Sequence, residues 1–334
     1  MTPSRVSRST VVLVGASSLR GRELKELLGE SLAGGNLRLL DDEAAGTLTE
    51  AGGEPALILP FGPDSFHGAQ LVFFAGNQEF TRRHWGDARR AGATVIDASG
   101  GLAEAEGAVP WIPALDATLT PPRWPQAQQG GVYVSPSPAC IITCTLVAAL
   151  APFCPRRMVL TFFEPASERG QAGIEELEQQ TVHLLSFQVI PQQVYDAQVA
   201  FNLLSRYGAA SRVNLGELRD ALAAEVARYL AGRLAVPALQ LVQAPVFYSY
   251  AWSAFLELDE PRLPAELEAV LVAAGVVRQG SPSNVSAAGE SRILLGPVER
   301  DATLATGYWL WGVADNIRLA AANAVAIAER LRAS

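Results

Sequence analysis

The chain has 334 residues, a formal net charge of -8, 49% hydrophobic residues and 18% charged ones. That length exceeds one ordinary core and predicts two domains, and the apolar fraction excludes a disordered chain. The acidic balance with scattered Lys and Arg argues against a nucleic-acid partner, and no stretch reaches the roughly 18 apolar residues that span a bilayer, so a soluble cytoplasmic protein is expected.

The first residues, MTPSRVSRST, are followed by only a short apolar run and carry no signal-type region. Thr10 to Val14 reads as a strand buried on both faces of a parallel sheet. Gly15-Ala16-Ser17-Ser18-Leu19-Arg20-Gly21 then forms a turn into the amphipathic helical run RELKELLGE. This strand, turn and helix would point backbone N–H groups at a pyrophosphate, with Ser18 where the GxxGxxG pattern has its middle glycine; an ordinary βα turn is the plainer reading. Leu37 to Leu40 is a second strand, ended by Asp41 and Asp42 about 20 residues beyond Gly21, where a carboxylate can hydrogen-bond a ribose 2′-OH. A carboxylate there favours NAD over NADP, although Asp is also common in plain strand-end turns.

Leu71 to Phe74, a helix over Arg82 to Arg90 and the strand Thr94 to Ile96 continue the alternation of an open α/β sheet. The pattern changes from about Ala127. A helix after Pro138, a strand Met158 to Phe163, long helices near Gly173 to Leu185 and Leu215 to Leu234, and strands Leu241 to Tyr248 and Ser253 to Leu258 describe a mixed sheet with helices. An Ala-rich helix, Leu319 to Leu331, closes the chain. The fold class expected is therefore α/β, a Rossmann-type dinucleotide-binding domain followed by an α+β domain with a mixed sheet.

Cys140, Cys144 and Cys154 form no CxxC pair, so neither a disulfide framework nor a zinc site is indicated. Cys140 stands in the first turn of a helix, where the dipole favours a nucleophilic thiolate; equally, a Cys followed by another at i+4 reads as a pair of small core residues. His67 in a loop, His84 on a charged helix and His183 on a long one read as solvated or packing histidines.

Gly15-Ala16-Ser17 to Gly21, Phe74-Ala75-Gly76, Ala91 to Ser99 (AGATVIDAS) and Val313-Ala314-Asp315-Asn316-Ile317-Arg318 occur in order and at suitable spacing. In this the chain resembles the aspartate-semialdehyde dehydrogenase family, over nearly its whole length. The resemblance implies a dinucleotide-binding domain over 1–126, completed by a C-terminal helix at 315–334, and a catalytic and dimerisation domain over 127–314. It implies an NAD or NADP cofactor, a homodimer, a small-molecule substrate of amino-acid biosynthesis, and reduction of an acyl phosphate to an aldehyde through a Cys thioester with a His acid/base. Cofactor contacts would fall on Gly15, Ser17, Ser18, Leu19, Arg20, Gly21, Asp41, Gly76 and Asn316.

On the substrate side, Glu225 and Arg228 match the family's Glu-x-x-Lys. Glu164 follows Phe163 where the family has Tyr-Gln, Gln243 replaces its carboxylate-binding Arg, and Tyr250 replaces its catalytic His. The phosphate-holding Asn after VID is Ala98. Counting forward from Pro138 puts the nucleophile on Cys140, whereas counting back from Ala149-Leu150-Ala151-Pro152 puts it on Ile141, and one residue rotates a helical side chain by about 100°. Two readings follow: an NAD(P)-dependent aldehyde or acyl oxidoreductase, or a dimeric nucleotide-binding relative that has lost the reaction.

Overall fold

A computed structural model describes residues 10–31, 36–119 and 130–333. The expected domain boundary near Ala127 and the first nine residues lie outside them. The chain divides into two compact units, one of residues 1–113, 122–136 and 320–334, the other of residues 114–121 and 137–319.

In the first unit, the strands are β1 (Thr10–Val14), β2 (Asn36–Leu40), β3 (Leu48–Ala51), β4 (Glu54–Leu59), β5 (Ala69–Phe74), β6 (Thr94–Asp97), β7 (Ala108–Pro110) and β8 (Val132–Val134). They lie in the order β3-β4-β2-β1-β5-β6-β8-β7, parallel throughout except for the β3–β4 hairpin. The helices are α1 (Leu19–Ser31) and α2 (Gln78–Arg90). The run Val11 to Leu13 is fully buried because both faces of β1 are covered. One face packs with Leu24, Leu28, Ala321, Ala324 and Ile327, the other with Phe66, Ala88 and Leu102. The hairpin was not legible as strands: Leu48 and Leu57 face solvent, and Gly52-Gly53, both left-handed (φ +60° and +80°), supply the turn. Helix α2 begins four residues earlier than the Arg82 start read from its charges, because Asn77 Oδ1 accepts from Glu79 N (2.8 Å) and Phe80 N (3.2 Å).

The second unit carries α3 (Pro138–Leu150), β9 (Arg157–Glu164), α4 (Gly170–Leu185), α5 (Leu215–Leu230), β10 (Ala238–Gln243), β11 (Tyr250–Glu257), α6 (Pro264–Ala273), β12 (Val277–Arg278), α7 (Asn284–Ala287), β13 (Leu294–Leu295), β14 (Glu299–Arg300) and β15 (Gly307–Ala314). Helix α8 (Asn316–Ala333) runs from this unit into the first. The sheet order is β10-β9-β11-β15-β13-β12, with β14 also on β15; β10 runs parallel to β9, and β11 antiparallel to both β9 and β15. The sheet is mixed, as expected.

Three expected bounds are corrected. The strand predicted over Leu241 to Tyr248 stops at Gln243: after Ala244 N bonds Glu164 O, Pro245 has no N–H to continue a ladder. The helix predicted to reach Leu234 ends at Leu230, where Ala231 turns left-handed (φ +50°). The last helix starts at Asn316, three residues before Leu319, because Asp315 Oδ1 accepts from Ile317 N and Arg318 N at 3.0 Å each. Between α4 and α5 the chain has no regular structure, yet it is fixed. Glu176 accepts from Gln193, Val194 and Tyr195 N, and Gln180 bonds Pro191 and Ala197 carbonyls and Val199 and Ala200 amides.

A methyl group on Gly21 would overlap the Gly15 carbonyl, whereas one on Gly46 meets nothing within 4 Å and suffers only its left-handed φ of +85°. Gly21→Ala is therefore expected to cost about 3 kcal/mol and Gly46→Ala about 1 kcal/mol in urea unfolding. Equal midpoints for the two variants would contradict this packing.

Candidate active site

The first unit gathers the residues expected around a dinucleotide. Gly15 takes φ +78°, and its missing side chain lets the β1–α1 turn lie against Gly76, whose own Cβ would sit 3.0 Å from Gly15 Cα. The Ser18 hydroxyl bonds the carbonyls of Gly15 (2.8 Å) and Ala75 (2.9 Å) and accepts from Gly21 N (2.9 Å). Ser18 thus does more than stand in for a glycine: it caps α1 and ties the turn to the end of β5. Leu19 opens the helix, and with Gly21 N taken by Ser18 the first-turn amides left without a carbonyl partner in the helix are those of Leu19 and Arg20. Asp41 Oδ2 accepts from Ser17 N (2.9 Å) and Ser17 Oγ (2.7 Å), which folds the carboxylate at the end of β2 over the glycine turn. Arg20 points away, to the Ala98 carbonyl. Near it, Asp97 is fully buried and accepts from Ser99 N (2.8 Å), Ser99 Oγ (2.7 Å) and Leu102 N (2.7 Å). Burial raises its carboxyl above the usual range, against the pull of those bonds and of Arg20.

In the second unit the expected residues fall into two groups. The first surrounds the start of α3, a helix whose every residue is buried and which packs against α5 and α6. Such a helix needs its N-terminal amides satisfied inside the protein. Ser137 caps it, its hydroxyl accepting from Cys140 N (3.3 Å), and Glu225 on α5 accepts from Ser137 N (2.8 Å) and from the Ser137 hydroxyl. Glu225 therefore holds the cap, and Arg228, one turn on, is exposed. The Cys140 sulfur lies 3.8 Å from that of Cys144, and neither side chain reaches solvent. Burial, then the contact with Cys144 and the charge of Glu225, raise the Cys140 thiol well above its ordinary value, Arg228 acting weakly against them. Cys140 rests as a neutral thiol.

The second group is a row across the sheet end. Parallel pairing sets Gln243 beside Glu164, and the antiparallel pairing of Ala251 with Phe163 puts Tyr250 at the same end of β11. Glu164 is 1% exposed and ion-paired with Arg169. Gln243 Nε2 donates to the carbonyls of Glu164 and Ala244 (2.9 Å each), and its Oε1 accepts from Tyr207 Oη (2.6 Å). Burial raises the Glu164 carboxyl, with Arg169 opposing; burial depresses the Arg169 guanidinium, but Glu164, Tyr207 and Glu168 together leave it raised. Tyr250 is held as a neutral phenol, raised first by burial and then by Glu164 and Glu168. Tyr207 is raised likewise.

Asn316 is engaged within the second unit. Its amide nitrogen donates to Glu168 Oε1 (2.7 Å) and Ser167 Oγ (3.0 Å), and its oxygen accepts from Ser249 N (3.0 Å). Together with Asn284, whose Nδ2 donates to Ser249 O (2.6 Å), it clamps Ser249 in a left-handed conformation (φ +71°) directly before Tyr250. Its visible work is to set Tyr250, because every polar atom of its amide is already engaged.

The sequence reading missed Ser137, Glu168, Arg169 and Tyr207. Ser137 had a signal, a Ser before Pro at a helix start. Arg169 lies only five residues beyond Glu164, but nothing in the spacing shows that the turn after β9 brings it back. The histidines stay out of both groups: His84 Nδ1 is 3.0 Å from Asp87 Oδ2, His183 Nδ1 is 2.7 Å from Val189 O, and His67 is exposed. Among the described residues no cluster of three or more His, Cys, Asp or Glu could hold a metal ion, and no helix is long and apolar enough to cross a membrane.

The model for the NAD binding domain of semialdehyde dehydrogenases matches residues 10–128, and that for their dimerisation domain matches residues 146–319. The chain belongs to the semialdehyde dehydrogenase family. It is 33% identical over 276 residues to a USG-1 protein homolog of Pseudomonas aeruginosa, covering 80% of each chain. To an aspartate-semialdehyde dehydrogenase of a Synechocystis species it is 27% identical over 333 residues, covering 96% of each. A solved structure of a probable aspartate-semialdehyde dehydrogenase from Pseudomonas aeruginosa superposes with a TM-score of 0.81 at 30% identity, covering 97% of this chain and 98% of that one. The resemblance carried by the sequence motifs is thus a family relationship, the fold class is the one expected, and the first domain is of the type that binds a nicotinamide dinucleotide.

Of the three thiols only Cys154 is exposed. Iodoacetamide at neutral pH is expected to modify Cys154 first, with Cys140 and Cys144 reacting only on unfolding, as peptide mass mapping over time would read out. Faster reaction at Cys140 would show that its thiol leaves the Cys144 contact in solution.

Proposed function

We propose that this chain is an NAD-preferring oxidoreductase of an aldehyde or acyl group, acting as a homodimer. The observation that carries this reading is the glycine turn of the first unit, with Gly15 packed against Gly76, α1 starting at Leu19 and the Asp41 carboxylate folded over it. These residues fit a nicotinamide dinucleotide: the first-turn amides would take its pyrophosphate and Asp41 its ribose 2′-OH. Bound there, it supplies a hydride acceptor or donor.

Cys140 is the nucleophile in this reading, and its sulfur must lose its proton before attacking a carbonyl. Glu225 holds the Ser137 cap, and so fixes where the helix and its first-turn cysteine begin. Tyr250 keeps its proton at neutral pH and can donate a hydrogen bond to a carbonyl oxygen, but it cannot shuttle protons as a histidine does. For that reason, and because Gln243 and Ala98 replace the family's anion-holding groups, turnover of aspartate semialdehyde with phosphate is not expected. A second reading, a dimeric nucleotide-binding relative without catalysis, is favoured by the complete burial of the Cys140 and Cys144 thiols. Aldehyde-dependent NADH formation that disappears in Cys140→Ser supports the enzyme; its absence in the unaltered protein supports the relative.

Calorimetric titration is expected to show NAD(H) binding more tightly than NADP(H), with Asp41→Ala narrowing the ratio about tenfold through loss of charge repulsion toward a 2′-phosphate. An unchanged ratio would remove Asp41 from cofactor choice.

The dimer surface we assign is the end of α4. Val182 and Leu185 on the last turn of α4, and Phe187 and Val189 just after it, stand exposed, Phe187 at 99%, inside the segment matched by the dimerisation model. Light scattering should find a dimer for the unaltered protein and a folded monomer for Phe187→Asp. A Phe187→Asp dimer of undiminished affinity would move the interface elsewhere.

A further inference from the structure

Two acids follow β2, and the structure sends them in different directions. Asp42 Oδ1 accepts from Phe61 N (2.8 Å), so that carboxylate holds the chain after β4. Asp41 addresses the glycine turn, and one residue of that turn supplies most of what holds it. Ser17 N (2.9 Å) and Ser17 Oγ (2.7 Å) both donate to Asp41 Oδ2, while Glu43 N donates to Oδ1 at 3.1 Å. The backbone on either side is tied as well. The Ser17 carbonyl accepts from Arg22 Nε on α1 (2.9 Å), and the Asp41 amide donates to Leu59 O (3.0 Å). Ser17 and Asp41 are half-buried and Glu43 is exposed, so this arrangement lies open at the surface of the first unit.

A carboxylate offers about four acceptor positions, and three of them are filled here. The one left, on Oδ1, is the place for a ribose hydroxyl. What the three bonds add is fixity. A carboxylate on a freely rotating side chain has to be ordered when a hydroxyl arrives, and it can swing aside from a phosphate; one that is already pinned does neither. The shorter of the two bonds to Oδ2 is the charge-assisted one from the Ser17 hydroxyl, and without it only backbone donors remain. We propose that Ser17 is a positioning residue for cofactor choice: its hydroxyl locks the Asp41 carboxylate beside the turn between β1 and α1, and through that carboxylate sets the preference for a ribose without a 2′-phosphate. This rests on the reading of the turn as a dinucleotide site. It goes beyond that reading by assigning the preference to a pair of side chains and not to Asp41 alone.

The test uses binding, so that it does not depend on turnover: NAD(H) and NADP(H) are each titrated calorimetrically into the unaltered protein and its variants. Ser17→Ala, which keeps the backbone N–H, is expected to narrow the ratio of NAD(H) to NADP(H) affinity about fivefold, and Ser17→Thr, which keeps the hydroxyl, to retain it. A merely structural role for Ser17 would weaken both nucleotides alike and leave the ratio where it was. Because Ser17 acts through Asp41, adding Ser17→Ala to Asp41→Ala should change the ratio no further. An unchanged ratio in Ser17→Ala overturns the inference. So does a further change in the double variant, which would mean that the hydroxyl meets the nucleotide itself. Binding of neither nucleotide by the unaltered protein removes the dinucleotide reading and the inference together, whereas NAD(H) preferred to the same degree with and without the Ser17 hydroxyl removes the inference alone.

Discussion

Placing a carboxylate at the buried end of a central strand creates a demand that the surrounding chain must meet. Glu164 ends β9, the strand flanked by β10 and β11, and it is removed from water. A buried carboxylate persists as an ion only with a partner and further hydrogen bonds. Arg169 is that partner, and the turn after β9 has to bring it back. Around the pair, Gln243 ties the Glu164 backbone to Tyr207, and Glu168 leads through Asn316 to Ser249 and so to the aim of Tyr250. A network of this kind is strong when complete and fragile when one member is removed.

The start of α3 meets the same constraint in a drier setting. A helix buried on all sides cannot leave its first amides to water, so Ser137 and Glu225 act together as its cap. The dipole that would favour a Cys140 thiolate is present, but burial and the neighbouring Glu225 charge outweigh it. A helix N-terminus by itself is therefore a weak predictor of a reactive thiol; what the thiol packs against decides. The equivalent turn of the first unit is built for closeness of another kind, with glycines at 15, 21 and 76 allowing backbone to meet backbone and Ser18 pinning the result.

Much of this protein could be read before its structure. The buried parallel strands, the glycine turn and the acid at the end of β2 are local signals, and each depends on a residue type at a fixed offset, which is information that sequence carries directly. The ordered motifs from Gly15 to Arg318 were enough for the family. Bounds failed where a side chain, and not hydrophobic period, sets the end of an element: Asn77 and Asp315 start helices early, and Pro245 ends a strand. The β3–β4 hairpin escaped because its exposed leucines do not alternate as a half-buried strand should.

Sequence alone therefore determined the fold class, the family and the glycine turn between β1 and α1. It left open whether Cys140 was a nucleophile or a core residue, since both place a cysteine in the same turn. Only the tertiary structure showed the thiol closed against Cys144, Asn316 committed to clamping Ser249, and an arginine returned to the row at position 169. The reason is physical: composition and period report which groups must be buried, but the pairing of buried charges depends on contacts made through turns and neighbouring strands. Those contacts exist only once the chain has folded.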